Sequence, residues 1–493
     1  MNAHLVPQVE KLTGHRVLCI GDVMLDRYIY GQVDRISPEA PIPVLRIQRE
    51  AVTLGGAGNV VRNLVSLGGQ VDLIGVIGQD PAGYDLAKQL TSLPSVTSYL
   101  LTDNSRPTTL KTRYVADGQQ LLRADHEVSQ AVSADMEEQT LLRVRGAIDG
   151  CNVVILSDYA KGVLSLRVVT EIIKLAKEKN CKVLIDPKGR DFSHYRGAYM
   201  LTPNRKELTE VSGMTIRTIE DAEKAARKLI DAQQLEGVLA KLGSDGVCLV
   251  MKGQPALHFR ASAREVFDVS GAGDTVLATM ALSLAGGLSP ADSAALANIA
   301  GSIVVGKIGT ATVTREELVR ELAHDQARQS EEKLITLAQA TELAERWRKQ
   351  GLKVGFTNGC FDLLHPGHIS LIRQAKAACD KLIVGINSDA SVKRLKGDSR
   401  PVQNEASRAA VLSSLADVDQ IVIFTEETPL NLIKAIRPSA LVKGADYRVD
   451  QVVGGDLVQS WGGQVVLANL VEGHSTTATI AKLQAPKKAG GVA

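Results

Sequence analysis

DVSGAGDTVLATMALSLAGG, residues 268–287, joins a glycine-rich turn to an apolar run of helical character. Its reading decides the fold of the larger part of the chain. Gly271 and Gly273 let the backbone turn closely, so that N–H groups at the start of the following helix converge on an anion. Asp274 opens that helix. A carboxylate there either caps the helix or takes a proton from an attacking hydroxyl during phosphoryl transfer. Upstream, from about residue 16 to 313, short β-branched runs alternate with helical patterns: RVLCIG, AGNVVRNLVSLG, VDLIGVIG, NVVILSD, KVLIDP and GVLAKLG. This rhythm predicts an α/β domain with a doubly wound, mainly parallel sheet. Gly21-Asp22 ends the first strand, and Leu54-Gly55-Gly56-Ala57-Gly58-Asn59 opens a helix. A carboxylate, an amide and bare backbone therefore meet at neighbouring strand ends, groups that suit sugar hydroxyls.

Two stretches break the rhythm, IPVLRIQRE at 42–50 and TLKTRYVADGQQLLRAD at 109–125. In the second, apolar and polar residues alternate about Asp117-Gly118, which predicts a β-hairpin. A hairpin projecting near the ligand edge of a parallel sheet is a small β lid, a dimer clasp or a surface decoration. Arg113 on it and Lys161 in Ser157-Asp-Tyr-Ala-Lys-Gly162 are candidate cations for a phosphate on the acceptor, or plain solvated side chains.

The order Gly21-Asp22, GGAGN, Asn204-Arg205-Lys206-Glu207, Lys241-Leu-Gly243-Ser-Asp-Gly246 and DVSGAGD resembles the ribokinase-like carbohydrate kinases over about residues 12 to 320. That resemblance implies a catalytic base at Asp274, with the turn Gly271-Ala272-Gly273 stabilising the transferring charge. It implies that Asn204 and Glu207, with Arg205 and Lys206 between them, act on ATP phosphates through Mg2+ and its waters, with no direct protein ligand to the metal. Lys241, Gly243 and Gly246 would bind nucleotide, Asn298 would lie near the adenine, and Asp22, Gly55, Gly56 and Asn59 would bind the sugar.

Past residue 315 the composition turns strongly charged and helical, as in REELVREL and ATELAERWRKQ, and the connection between domains is placed there. The expected division is a kinase domain over 1–328, a helical linker over 329–350 and a second domain over 351–493. LKVGFTNG, DKLIVGIN, DQIVIF and SALVKG give that domain a smaller, Rossmann-like parallel sheet of four or five strands. LKVGFT runs into Asn358-Gly359-Cys-Phe361-Asp-Leu-Leu-His365-Pro-Gly-His368 and then a helical pattern. Three residues apart at a helix start, His365 and His368 share one face and a positively polarised environment, suited to nucleotide phosphates. Zinc binding is the rival reading, but no third ligand lies nearby in a ligand pattern. Lys396, Arg400 and Arg408 come next in the chain, and Ser475-Thr476-Thr477 precedes another helical run.

This set resembles the HxGH nucleotidyl transferases, in particular the cytidylyltransferase-like branch, over about 350 to 485. The resemblance implies that His365 and His368 bind and activate a nucleoside triphosphate. Lys396 and Arg408 would contact phosphates, Asn358, Gly359 and Phe361 would border the nucleotide, and Ser475, Thr476 and Thr477 would bind its β,γ end. His474 stands where that family more often has an apolar or small residue. The two modules in this order resemble the bifunctional heptose-phosphate kinase/adenylyltransferases of lipopolysaccharide core synthesis. This likeness implies phosphorylation of D-glycero-β-D-manno-heptose 7-phosphate at C1 and, after loss of the 7-phosphate, AMP transfer from ATP to the 1-phosphate. A sugar kinase fused to a cytidylyltransferase is the alternative.

Composition sets the outer limits. The 493 residues, 44% apolar and 23% charged, with 43 Gly and 3% aromatics, suit two or three α/β cores. A net charge of +2 and the lack of a basic run interleaved with aromatics argue against nucleic acid. The six cysteines are scattered without metal spacing and read as reduced thiols. Neither a signal-peptide pattern nor a long apolar span is visible, so a cytoplasmic enzyme without a membrane partner is expected. The 109–125 hairpin favours a homodimer through the kinase domain, and APKKAGGVA at the end reads as a disordered tail.

Overall fold

The computed structural model describes residues 3–261, 266–307, 309–445 and 448–469. Ser475, Thr476, Thr477 and the terminal APKKAGGVA lie outside the described residues. The chain divides into two compact units, Met1–Leu322 and Ala323–Ala493.

Among the described residues the first unit holds a nine-stranded sheet. From one edge to the other it runs Leu257–Phe259, Val247–Met251, Gly237–Lys241, Met200–Leu201, Lys182–Asp186, Val153–Ser157, Arg16–Gly21, Gln70–Ile77 and Val96–Thr102. All neighbours from Gly237–Lys241 to Val96–Thr102 are parallel, and the pairings of Val247–Met251 are antiparallel. The central parallel strands are buried on both faces, as crossover helices require, and their residues are mainly Val, Ile and Leu. One face packs against the helices Ala57–Ser66, Ala272–Ala285 and Pro290–Val304, the other against Ala134–Ala147, Leu166–Glu178 and Ile219–Gln233. The chain leaves Arg16–Gly21 towards one edge and later returns to its other side with Val153–Ser157. That reversal opens a crevice at the carboxyl ends of these two strands. Gly21 is required there, because a Cβ on it would stand 2.2 Å from the carbonyl oxygen of Ser157.

The two stretches that break the alternation both enter a separate four-stranded sheet, ordered Pro43–Gly56, Val23–Ile36, Thr109–Ala116, Gln119–His126. Thr109–Ala116 and Gln119–His126 form the expected hairpin, with Asp117 and Gly118 both at positive φ, 48° and 79°, the backbone a two-residue turn needs.

The second unit contains a five-stranded parallel sheet, Gln420–Phe424, Lys381–Asn387, Val354–Gly359, Ala440–Gly444, Gln464–Ala468. Of the span 329–350, Leu337–Lys349 is a helix whose Ala340, Ala344 and Trp347 lie in this unit's core beside Val354 and Phe356. Their i, i+4, i+7 spacing supplies an apolar stripe within a charged sequence. Among the described residues no helix is long and apolar enough to cross a membrane.

Candidate active sites

In the first unit, Asn204, Glu207, Lys241, Gly243, Gly246, Asn298 and the turn Gly271-Ala272-Gly273 with Asp274 all line one cleft of about 950 Å³. Strand ends and helix starts deliver them: Lys241 ends a strand, Asn204 caps the helix Arg205–Ser212, and Gly271, at φ 80°, caps Ala272–Ala285. Gly246, at φ 84°, has no room for a side chain, since a Cβ would lie 2.0 Å from the carbonyl oxygen of Phe259. Arg205 and Lys206 do not line the cleft. Arg205 instead donates to the carbonyl oxygens of Ile216 and Leu242 and to Asp245, while Lys206 lies out in solvent.

Asn204 and Glu207 form a complete capping box: the Asn204 side chain accepts from Glu207 N at 2.9 Å, and Glu207 Oε2 accepts from Asn204 N at 2.9 Å. Glu207 Oε1 faces Lys188 Nζ at 3.1 Å, so the helix cap leaves one carboxylate oxygen for cleft chemistry. Lys241 Nζ donates to Asp186 Oδ1 at 2.5 Å. Asp186, Lys188, Asp158 and Tyr159 line the same cleft, and sequence reasoning did not single them out. A signal was present: CIGD, ILSD and LIDP each end a β run in aspartate, giving Asp22, Asp158 and Asp186 at the ligand edge of three parallel strands.

Asp274 is buried at 5% exposure and held at both oxygens. Asn59 Nδ2 donates to Oδ2 at 2.8 Å, and Tyr159 Oη donates to Oδ1 at 2.7 Å. Burial raises its pKa to about 6; the Asn59 and Tyr159 hydrogen bonds oppose the rise, nearby Asp186 adds to it, and Lys241 counters it. At neutral pH most of the carboxylate is therefore ionised yet close enough to titration to accept a proton.

The candidate sugar-binding groups gather at the lid junction. Asp22 is buried, and its carboxylate accepts from the backbone N–H groups of Tyr159 (2.9 Å), Lys161 (3.0 Å) and Val163 (3.3 Å), which ties the SDYAKG loop to the first strand. A Cβ on Gly55 would stand 2.3 Å from Asp26 Oδ2, so glycine there gives room for a buried lid carboxylate. Arg113 Nη1 pairs with Asp26 Oδ1 at 2.5 Å, and Lys161 Nζ with Glu127 Oε1 at 2.7 Å. Glu127 also accepts from Lys111 at 2.8 Å. Both candidate phosphate cations are thus compensated by carboxylates in this state.

In the second unit Val354–Gly359 ends at Asn358-Gly359, and His365 is the N-cap of the helix Pro366–Ala377. The His365 and His368 rings stack, centroids 3.8 Å apart and planes at 22°. Phe361, at φ 46°, lies 5.1 Å from the His368 ring. Burial lowers the His368 pKa to about 4, with His365 and Lys396 pushing the same way, so its imidazole is neutral at pH 7. Lys396, at the exposed end of Asp389–Lys396, is near enough to act on it electrostatically.

Arg408, expected at a nucleotide phosphate, is engaged here by groups of the protein itself. It is 1% exposed, and its guanidinium donates to Gln403 O (3.1 Å), Cys360 O (2.6 Å) and Asp389 Oδ1 (2.7 Å). It thereby ties the segment after Val354–Gly359 to the start of the helix Asp389–Lys396 and to the turn before the helix Glu405–Ser413. Asp362 and Arg400 form a second buried tie at 2.5 Å, with Asp362 Oδ1 also accepting from Val402 N and Gln403 N. Among the described residues no group of three or more His, Cys, Asp or Glu is arranged to hold a metal ion.

Comparison with known proteins matches this two-site organisation. The pfkB family carbohydrate kinase model matches residues 15–317, and the cytidylyltransferase-like model residues 356–474. The bifunctional protein HldE of Paramagnetospirillum magneticum is 54% identical over 479 residues, covering 97% of this chain and 98% of that protein. That of Rhodospirillum rubrum is 51% identical, covering 98% and 97%. Phosphofructokinase-2 from Escherichia coli in complex with substrates and products superposes with a TM-score of 0.54 at 22% identity, over 63% of this chain and 99% of its own. Ribokinase from Arabidopsis thaliana, complexed with ribose and ATP, gives 0.50 at 22%, over 63% and 99%. These two likenesses speak for the fold of the first unit, whereas the full-length identities speak for both units in this order: the chain belongs to the HldE family of bifunctional enzymes, a kinase and an adenylyltransferase in one polypeptide.

Proposed function

We propose that the first unit transfers the γ-phosphoryl group of ATP to the C1 hydroxyl of D-glycero-β-D-manno-heptose 7-phosphate. The second joins AMP from ATP to D-glycero-β-D-manno-heptose 1-phosphate and releases pyrophosphate. The observation that carries the reading is the meeting of Asp274 with the candidate nucleotide residues in one cleft of a full-length HldE relative.

In the first reaction Asp274 takes the C1 hydroxyl proton as that oxygen attacks the γ-phosphorus and ADP leaves. The N–H groups of the turn 271–273 face the charge that gathers on the transferring oxygens. Lys241 and Lys188, now neutralised by Asp186 and Glu207, are placed to turn to phosphates when ATP enters. Glu207 would hold an ATP-borne magnesium ion through water, and that ion would supply positive charge to offset the phosphates.

In the second reaction no protein nucleophile is required, because the sugar phosphate attacks the α-phosphorus directly. Neutral His368, with His365 stacked on it, donates to phosphate oxygens at the helix start, and Lys396 supplies mobile positive charge. Arg408 supports the site by holding its loops. Ser475, Thr476 and Thr477 are proposed for the β,γ end of the triphosphate.

The kinase unit is further proposed to dimerise through its four-stranded sheet, which leaves Ile36, Ile47 and Leu122 more than half exposed at 62%, 53% and 59%. The enzyme is proposed to work in the cytoplasm, where ATP is available.

The test is direct. Mg-ATP and the heptose 7-phosphate should give a bisphosphate, and ATP with heptose 1-phosphate should release pyrophosphate. Release with CTP but not ATP would overturn the adenylyl assignment.

A further inference from the structure

Asp274 is held by side chains from two elements, one bond to each carboxylate oxygen. Asn59 comes from the first turn of the helix Ala57–Ser66, which directly continues the lid strand Pro43–Gly56. Tyr159 comes from the SDYAKG loop, whose backbone is hung on Asp22, the residue just before the other long lid strand, Val23–Ile36. Ala57 N also donates to Asp22 O at 3.0 Å, so the roots of both lid strands and the carboxylate clamp form one connected piece.

We propose that Tyr159 is a positioning residue for the kinase reaction: its hydroxyl, donating to Asp274 Oδ1 while Asn59 donates to Oδ2, fixes the carboxylate plane so that the free lone pairs face the acceptor. This deepens the assignment of Asp274 as base and rests on it. Tyr159 is not itself the base. Its phenol lies beside the Asp274 and Asp186 carboxylates at the cleft wall, and desolvation and these charges raise its pKa well above the ordinary value, so it stays protonated and can only donate. The balance of the step is therefore simple. The acceptor O–H bond breaks, its proton passes to Asp274, the new O–P bond forms, and the bond from the γ-phosphorus to ADP breaks, while the Tyr159 proton remains where it began.

A carboxylate with a single fixed hydrogen bond could swing about its Cβ–Cγ bond, and each productive encounter would then carry an orientational cost. Two donors on different oxygens remove that freedom. The same two donors stabilise the ionised form. The other groups acting on Asp274 are Asp186, which opposes ionisation, and Lys241, which favours it, both from strand ends, with the Cys19 thiol buried beneath. Asp26, from the lid, acts on the Tyr159 phenol. Asp22 is also raised to about 6, but it bonds the loop through backbone N–H groups that a change of the Tyr159 side chain leaves in place.

The experiment compares pH profiles of heptose phosphorylation by the full chain and by Tyr159→Phe, with Asp274→Asn as reference. Loss of one hydrogen bond to an ionised group should move the acid limb of kcat upward by about one pH unit. Well above the limb, kcat should fall only severalfold, and KM for ATP should hardly change. Asn59→Ala should move the limb the same way, which provides an independent variant should Tyr159→Phe fold poorly. A Tyr159→Phe profile that superimposes on the parent, or one lowered equally at every pH, overturns the proposal. Full activity in Asp274→Asn would sink the base assignment instead, and the two failures are distinguishable.

Discussion

Burial pushes the central groups of the two sites in opposite directions on the pH scale. Asp274 rises to about 6 and His368 falls to about 4, each because a charged form is costly away from water. The consequences differ because the chemistries differ. A kinase needs a group that accepts a proton from a hydroxyl, and a carboxylate poised about a unit below neutral pH is ionised yet protonatable. A nucleotidyl transferase acting on an already ionised sugar phosphate needs donors, and a neutral imidazole donates without repelling its stacked neighbour. On the proposed reading, the same physical effect suits Asp274 to act as a base and His368 to act as a hydrogen-bond donor.

The sharpest way to break this comparison is to remove each group. Asp274→Ala should lower phosphorylation by about 10²- to 10⁴-fold, the range for a positioned general base. His368→Ala should lower pyrophosphate release by about 10²- to 10³-fold, as for other preorganised donors to developing charge. Each should leave the other reaction within about twofold, measured on one preparation with circular dichroism matching the parent. A folded variant that loses both activities would show that the sites are not separate.

Arg408 sharpens the comparison in a different way. On the proposed reading the kinase cleft would meet ATP with Lys188 and Lys241, whereas this guanidinium is enclosed and engaged by the protein. Arg408→Ala leaves Cys360 O and Gln403 O without a donor and Asp389 without its cation. The expected cost is about 2–3 kcal/mol in the second unit, less than for a fully enclosed ion pair because Asp389 is one-third exposed. Thermal unfolding should show a lowered transition together with lost pyrophosphate release. Unchanged stability with a raised KM for ATP would return Arg408 to the role of a phosphate ligand.

Much of this was legible in the sequence. The alternation of β-branched runs and helices gave both parallel sheets, Asp117-Gly118 the hairpin, and the spacing of His365 and His368 their shared helix start. The order of motifs also grouped Asn204 and Lys241 with the turn 271–273, because strand ends and the helix starts that follow them converge at one edge of a parallel sheet; Asn298 was placed only by the family likeness. Side-chain pairing was harder to see. Nothing near Arg408 announces that Cys360 O, 48 residues away, will be its partner. Tyr159 lies 115 residues from Asp274, and local sequence carries no trace of that bond. Arg113 and Lys161 stand where a phosphate-binding role was expected, but their carboxylate partners Asp26 and Glu127 depend on lid pairing that sequence alone does not specify.

The smallest expected effect is the pH dependence itself, and it compares the two sites within one intact molecule. Only ionised Asp274 can accept the proton, so kcat for phosphorylation should fall as pH drops through about 6, approaching tenfold per unit below it. Between pH 7 and 5.5 that amounts to a loss of several-fold. His368 keeps its neutral form until about 4, so its donor function is constant over the same interval. Sugar-phosphate ionisation also changes near pH 6, and comparing the rate with the acceptor's own titration removes that contribution. Corrected nucleotidyl transfer should then be flat where phosphorylation declines. If both fall together with one midpoint, the opposed effects of burial on Asp274 and His368 do not govern the two reactions; if only phosphorylation falls, the contrast holds in the working enzyme.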